Sequence, residues 1–154
     1  MPQRFVRIIR LTLVIALMGS VYAEYNHSKA DLDFEETLRL AEQGSLYSQF
    51  LLALMYDHGS GVPEDDKQAV YWYSKAAEQG NAAAQYNLGN RYAKGEGVAE
   101  DYVMAHMWWN IAAANGHENA RKSKDNIVKR MSPSQIAKAQ EMARECMAKN
   151  YKGC

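Results

Sequence analysis

Apolar residues recur along this chain at the spacing of a helix rather than a strand. Ala69, Trp72, Tyr73, Ala76 and Ala77 fall at i, i+3, i+4, i+7 and i+8, and Ala105, Trp108, Trp109, Ala112 and Ala113 repeat the pattern. Such spacing lines one stripe of an α-helix. Alanine at three corners lets a neighbouring helix approach closely, and the aromatic pair fills the remaining volume. A second kind of stripe carries Leu52, Ala53 and Tyr56 in one place and Ala84, Leu88, Gly89 and Tyr92 in another. Leucine to tyrosine is i, i+4 in both. The chain is predicted to be all-α, with helices in pairs.

The two kinds of stripe alternate with a fixed period. Gly44, Gly80 and Gly116 lie 36 residues apart, each closing a similar phrase: Ala41-Glu-Gln-Gly44, Ala77-Glu-Gln-Gly80 and Ala113-Ala-Asn-Gly116. The same offset relates Tyr56-Asp-His-Gly-Ser-Gly-Val62 to Tyr92-Ala-Lys-Gly-Glu-Gly-Val98. A period of this length marks a stacked supersecondary unit. Gly59 and Gly95 suit the residue after a helix C-terminus, where a left-handed backbone is cheap only without a Cβ. Asp65 and Asp101 suit the N-cap of the next helix. Each unit therefore reads as helix, Gly-x-Gly-Val turn, helix, terminal glycine.

These motifs resemble the Sel-one-like repeat (SLR), a relative of the tetratricopeptide repeat. The resemblance rests on Tyr56-x-x-Gly-x-Gly-Val62 followed by Ala69-x-x-Trp-Tyr-x-x-Ala-Ala77-x-x-Gly80, and on the second copy. It implies a short α-solenoid of antiparallel helix pairs whose concave surface makes protein contacts, in a family that serves mostly as adaptors. The expected layout is a half unit at 34–44, full repeats at 45–80 and 81–116, and a C-terminal cap at 117–154. Both ends of a solenoid need closing. Phe34 to Glu42 reads as a lone second helix with a polar outer side. Ser132-Pro133-Ser134-Gln135 reads as a capping box opening a terminal helix, whose buried stripe is Ile136, Ala139, Ala143 and Met147.

Residues 1–23 read differently. Arg4, Arg7 and Arg10 precede the apolar run Leu11 to Met18, and Val21-Tyr22-Ala23 offers small residues for cleavage. That is the pattern of an export signal; the run is about half the length a membrane-spanning helix needs. The expectation is a periplasmic or secreted protein, with a linker at 24–33 and no stable membrane insertion after cleavage. Lys+Arg and Asp+Glu both number 18, so losing those three arginines leaves the chain net −3. That balance argues against nucleic acid as a partner. Export also changes how Cys146 and Cys154 read. An even pair in an oxidising compartment suggests a disulfide tying the last residues to the final helix, with two free thiols as the alternative.

The chain carries few of the residue patterns that support catalysis or metal binding. His27, His58, His106 and His117 are scattered, with no His-x-x-x-His and no neighbouring cysteine, so no metal site is expected. Glu64-Asp65-Asp66 opens a helix, where negative charge complements the dipole. No phosphate loop is present, and neither is the Ser-x-x-Lys, Ser-Asp-Asn or Lys-Thr-Gly set of β-lactam enzymes. No catalytic residue and no cofactor are expected. The chain reads as a non-enzyme that binds a peptide or protein partner; the alternative is an envelope enzyme or ligand binder acting on peptidoglycan or β-lactam-like molecules. By analogy with tetratricopeptide packing, the expected partner-facing residues are Tyr47, Phe50, Leu54 and His58, then Tyr86, Asn90 and Lys94, with Asn126 and Arg130 extending the line. Phe50 and Leu54 are equally open to a role packing against the half unit. Tyr71, off the packing stripe, is expected at the surface.

Overall fold

Helix starts in this protein are fixed by side chains that accept the hydrogen bonds a first turn leaves open. The computed structural model describes residues 33–154. The expected export segment, and all but the last residue of the linker after it, lie outside the described residues. A first helix, α1, covers residues 33–42. It is followed by α2 (Leu46–His58), α3 (Asp66–Ala77), α4 (Ala82–Lys94), α5 (Tyr102–Ala114), α6 (Glu118–Ile127), a 3-10 turn (Val128–Arg130) and α7 (Pro133–Ala148). Among the described residues there is no strand.

The caps repeat with the sequence. Ser45, Asn81 and His117 stand 36 residues apart and cap α2, α4 and α6, accepting from the amides of Ser48, Ala84 and Ala120. Asp65 and Asp101 each accept from two amides at the starts of α3 and α5. Ser132 and Gln135 form the reciprocal capping box of α7, with Pro133 at the first helical position. Gly59 and Gly95 end α2 and α4 at φ of 63° and 71°, in the left-handed region.

Each helix packs on the next in chain order from α2 to α6, and α7 returns onto α5. The result is an all-α solenoid of antiparallel pairs closed by a C-terminal helix. Ala69, Tyr73, Ala76 and Ala77 are buried on α3, and Ala105, Trp108, Trp109 and Ala112 on α5, as the stripes require. The aromatic pairs Trp72–Tyr73 and Trp108–Trp109 are thus interior. Gly89 lets α5 approach α4 closely: a Cβ there would meet the Trp109 ring at 2.6 Å. On α7, Ala139 and Ala143 are buried while Ile136 and Met147 are half-buried at the same interface.

Two buried glutamines add a polar ladder in register. Gln49 donates to the Ala41 carbonyl and Gln85 to the Ala77 carbonyl, both at 3.1 Å. Their own side-chain oxygens accept from Gln79 (2.7 Å) and Asn115 (2.9 Å). Each step ties the end of one helix pair to the start of the next, so a buried amide is satisfied at both ends. The ladder ends at the C-terminal tail, where the Tyr151 hydroxyl donates to Asn115 at 3.0 Å. That tail is held by the bond between Cys146 and Cys154, which closes a loop of sequence separation 8.

Candidate functional site

Arg91 organises the face shared by α2 and α4. Its guanidinium pairs with Asp57 on α2, with Asp66 at the start of α3 (2.6 Å), and with Glu96 in the turn after α4 (3.0 Å). Asp57 also accepts from the Tyr73 hydroxyl at 2.6 Å. Burial pushes the Tyr73 phenol up to about 12, so it stays protonated and remains a donor. Arg91 and Asp57 are nearly enclosed, with side-chain exposures of 11% and 13%. The turn completes the enclosure, because Gly97 sits so close to the Asp66 backbone that a Cβ would overlap it.

A pocket of about 190 Å³ opens above this network. His58, Asn87, Asn90 and Lys94 line it together with the charged set. His58 and Lys94 occupy the last turns of α2 and α4, where positive charge suits the helix dipole. Lys94 lies 3.6 Å from Glu96 and stays exposed. Asn90 accepts from the Trp109 indole N–H at 3.2 Å, which fixes the position of its side chain. The pocket thus presents amide donors and acceptors beside paired charges. Its chemistry suits the hydrogen bonding of a peptide backbone or polar side chain.

The structure therefore gathers three of the expected partner-facing residues, His58, Asn90 and Lys94, around one opening. Leu54 is half-buried one turn below, against the core. Phe50 is also half-buried, its ring 6.0 Å from that of Tyr73. Tyr47 stands alone at the far end of α2, 72% exposed. Tyr86 is turned toward the next repeat, stacked on the His117 ring at a centroid distance of 4.3 Å. Asn126 and Arg130 are exposed, and Arg130 lies over the Tyr102 ring at 4.5 Å.

Sequence reasoning missed Asp57, Asn87 and Arg91. The 36-residue comparison could not flag Arg91 or Asp57, because Met55 and Ala93 occupy the matching positions. A second recess lies between α1 and α3, over Leu38, Tyr56, Tyr71, Trp72 and Lys75. Tyr71 is exposed there, as its place off the stripe predicts. Among the described residues no group of three or more histidine, cysteine or acidic side chains is placed to hold a metal ion. No described helix is long and apolar enough to cross a membrane.

Comparison with known proteins matches this architecture. The Sel1 repeat family model matches twice, over residues 46–81 and 82–117. The structure is similar to a protective antigen present in uropathogenic Escherichia coli strains that displays an SLR fold. The two share 31% identity and a TM-score of 0.72 over 77% of this chain. This chain spans only 26% of that antigen's length. It is also similar to a Sel1 repeat protein from Oxalobacter formigenes, at 35% identity and a TM-score of 0.55, covering 56% of this chain and 66% of that one. A search of curated protein sequences finds no match.

Proposed function

Because the chain is a Sel1-repeat protein of the SLR fold, we propose that it is an exported, non-enzymatic interaction module that holds a peptide or protein partner on the concave face formed by α2 and α4. Proteins built from these repeats generally mediate protein contacts. The observation that carries the placement is the pocket over Arg91, where His58, Asn87, Asn90 and Lys94 converge and where the Asn90 side chain is already fixed by the Trp109 indole. Fixed side chains lose little entropy on binding, which favours affinity. Export is supported by the pairing of Cys146 with Cys154, a bond that persists in oxidising compartments, and by the likeness to a protective antigen.

A photo-crosslinking residue at position 90, compared with one at position 71 on the other face, tests the placement in the native envelope. Crosslinks to a single partner should form from position 90. With that partner purified, Asn90→Ala combined with Lys94→Glu should weaken binding at least about tenfold, the equivalent of 1.4 kcal/mol, and preserve the helical circular dichroism of the free chain. Crosslinks confined to position 71, or affinity indifferent to both substitutions, would overturn the reading.

A further inference from the structure

Helix α6 differs from α2 and α4 in what holds it. Only Ala120 and Ile127 are buried along its ten residues, and the rest of its surface is polar or charged. Its N-cap is His117, whose Nδ1 accepts from the Ala120 amide at 3.3 Å. The matching caps of α2 and α4 are Ser45 and Asn81, which do not titrate. The second departure lies beneath α6, on α5. His106 is 2% exposed and its Nδ1 has no hydrogen-bond partner. Val70 occupies the equivalent position one repeat earlier. The repeat has thus been altered at two places around one helix, each time to histidine.

We propose that α6 is an acid-releasable element of this solenoid, docked on α5 only while His106 and His117 are both neutral. Protonation would remove the Nδ1 acceptor from the cap and place a positive charge at a helix N-terminus, where the dipole already opposes it. It would also put a charge into the buried α5–α6 interface, where His106 Nδ1 has no hydrogen-bond partner. Among the described residues, the charges acting on His106 are Lys124 and Asp125 of α6; α4 and α7 supply none. Burial and then Lys124 lower its affinity for a proton, and Asp125 opposes them. His117 faces the Tyr86 ring from α4, and burial lowers its affinity too.

The sign follows from linkage. Both histidines bind protons more readily with α6 released than with α6 docked, the released state having the ordinary value of 6.5. Docking is therefore complete above that value and is lost as pH falls below it. Release would take the third helix out of the row α2, α4, α6 while α7 stays on α5. The proposal is independent of what the groove binds.

Hydrogen exchange of the full chain, read amide by amide by NMR between pH 7.5 and 5 and corrected for intrinsic rates, tests it. Protection of Arg121–Ile127 should fall relative to α2, by up to about tenfold per pH unit for each histidine that takes up a proton on opening. His117→Asn and His106→Val install the residues found at the equivalent positions, Asn81 and Val70. Each alone should halve the steepness, and together they should abolish it. Ring titrations in the same samples should place both histidines below 6.5. Protection in α6 that tracks α2 at every pH, a histidine titrating at or above 6.5, or pH dependence surviving in the double variant would overturn the proposal.

Discussion

Arg91 is the residue on which most of the site depends. One guanidinium serves three carboxylates from three segments, and one of them, Asp57, is as enclosed as the arginine itself. Removing one member of an enclosed ion pair leaves the other without compensation, at about 3–5 kcal/mol. Arg91→Met should therefore lower unfolding free energy by roughly that amount in urea titrations. Arg91→Met with Asp57→Ala installs the residues found one period away, Met55 and Ala93, and removes both charges. The double variant should be more stable than the single one, and a double variant that is worse would show that Asp57 does not depend on Arg91. The pair was hidden in the sequence because it breaks the repeat. Gln49 and Gln85 were hidden differently: they obey the repeat, and a glutamine recurring among apolar positions was itself the signal of a buried amide ladder. Tyr86 could not be placed from the sequence, since its orientation depends on stacking with His117 across a helix boundary.

Among the elements, most of the architecture was legible, because caps and turns are written in local chemistry. Asp65, Asp101 and Ser132 with Gln135 read as helix starts and serve as such. What local patterns do not encode is how firmly an element docks. Both α6 and α7 are capped at their starts, yet α7 buries Ala139, Ala143 and Cys146 while α6 buries only Ala120 and Ile127. The tail after α7 depends on a covalent tie. Asn150 and Tyr151 adopt φ of 50° and 64°, a conformation unfavourable for residues with a Cβ. There Tyr151 rests against Gly80 and donates to Asn115, bridging the ends of two repeats. Closing so short a loop contributes about 2–3 kcal/mol by limiting the unfolded chain. Cys146→Ser with Cys154→Ser should lower stability by that amount in denaturant titrations, matching the loss when the natural chain is treated with reductant. Reductant should not affect the variant. A natural chain indifferent to reductant would show that the tail holds without the bond.

At the scale of the whole molecule, two full repeats make a short arc rather than a long scaffold, with a polar pocket between α2 and α4 and a second recess between α1 and α3. The direction of the stack could be read from the sequence because its period is strict between residues 44 and 116. The proposed binding face could not, since the repeat pattern marks the residues that packing requires and is silent on those it leaves at the surface. Tyr47, Phe50 and Leu54 show this. All lie on α2 and look alike as exposed apolar candidates, yet the structure leaves one in solvent and sets two against the core. The central claim is that partners are held over the Arg91 network. The most direct measurement is a hydrogen-exchange footprint of the chain with its captured partner bound, compared with the free chain. The account predicts slowed exchange in the last two turns of α2 and α4, around His58, Asn90 and Lys94, with α7 and the Tyr71 face unchanged. Slowed exchange confined to α3 around Tyr71, or to α7, with α2 and α4 unaffected, would contradict it.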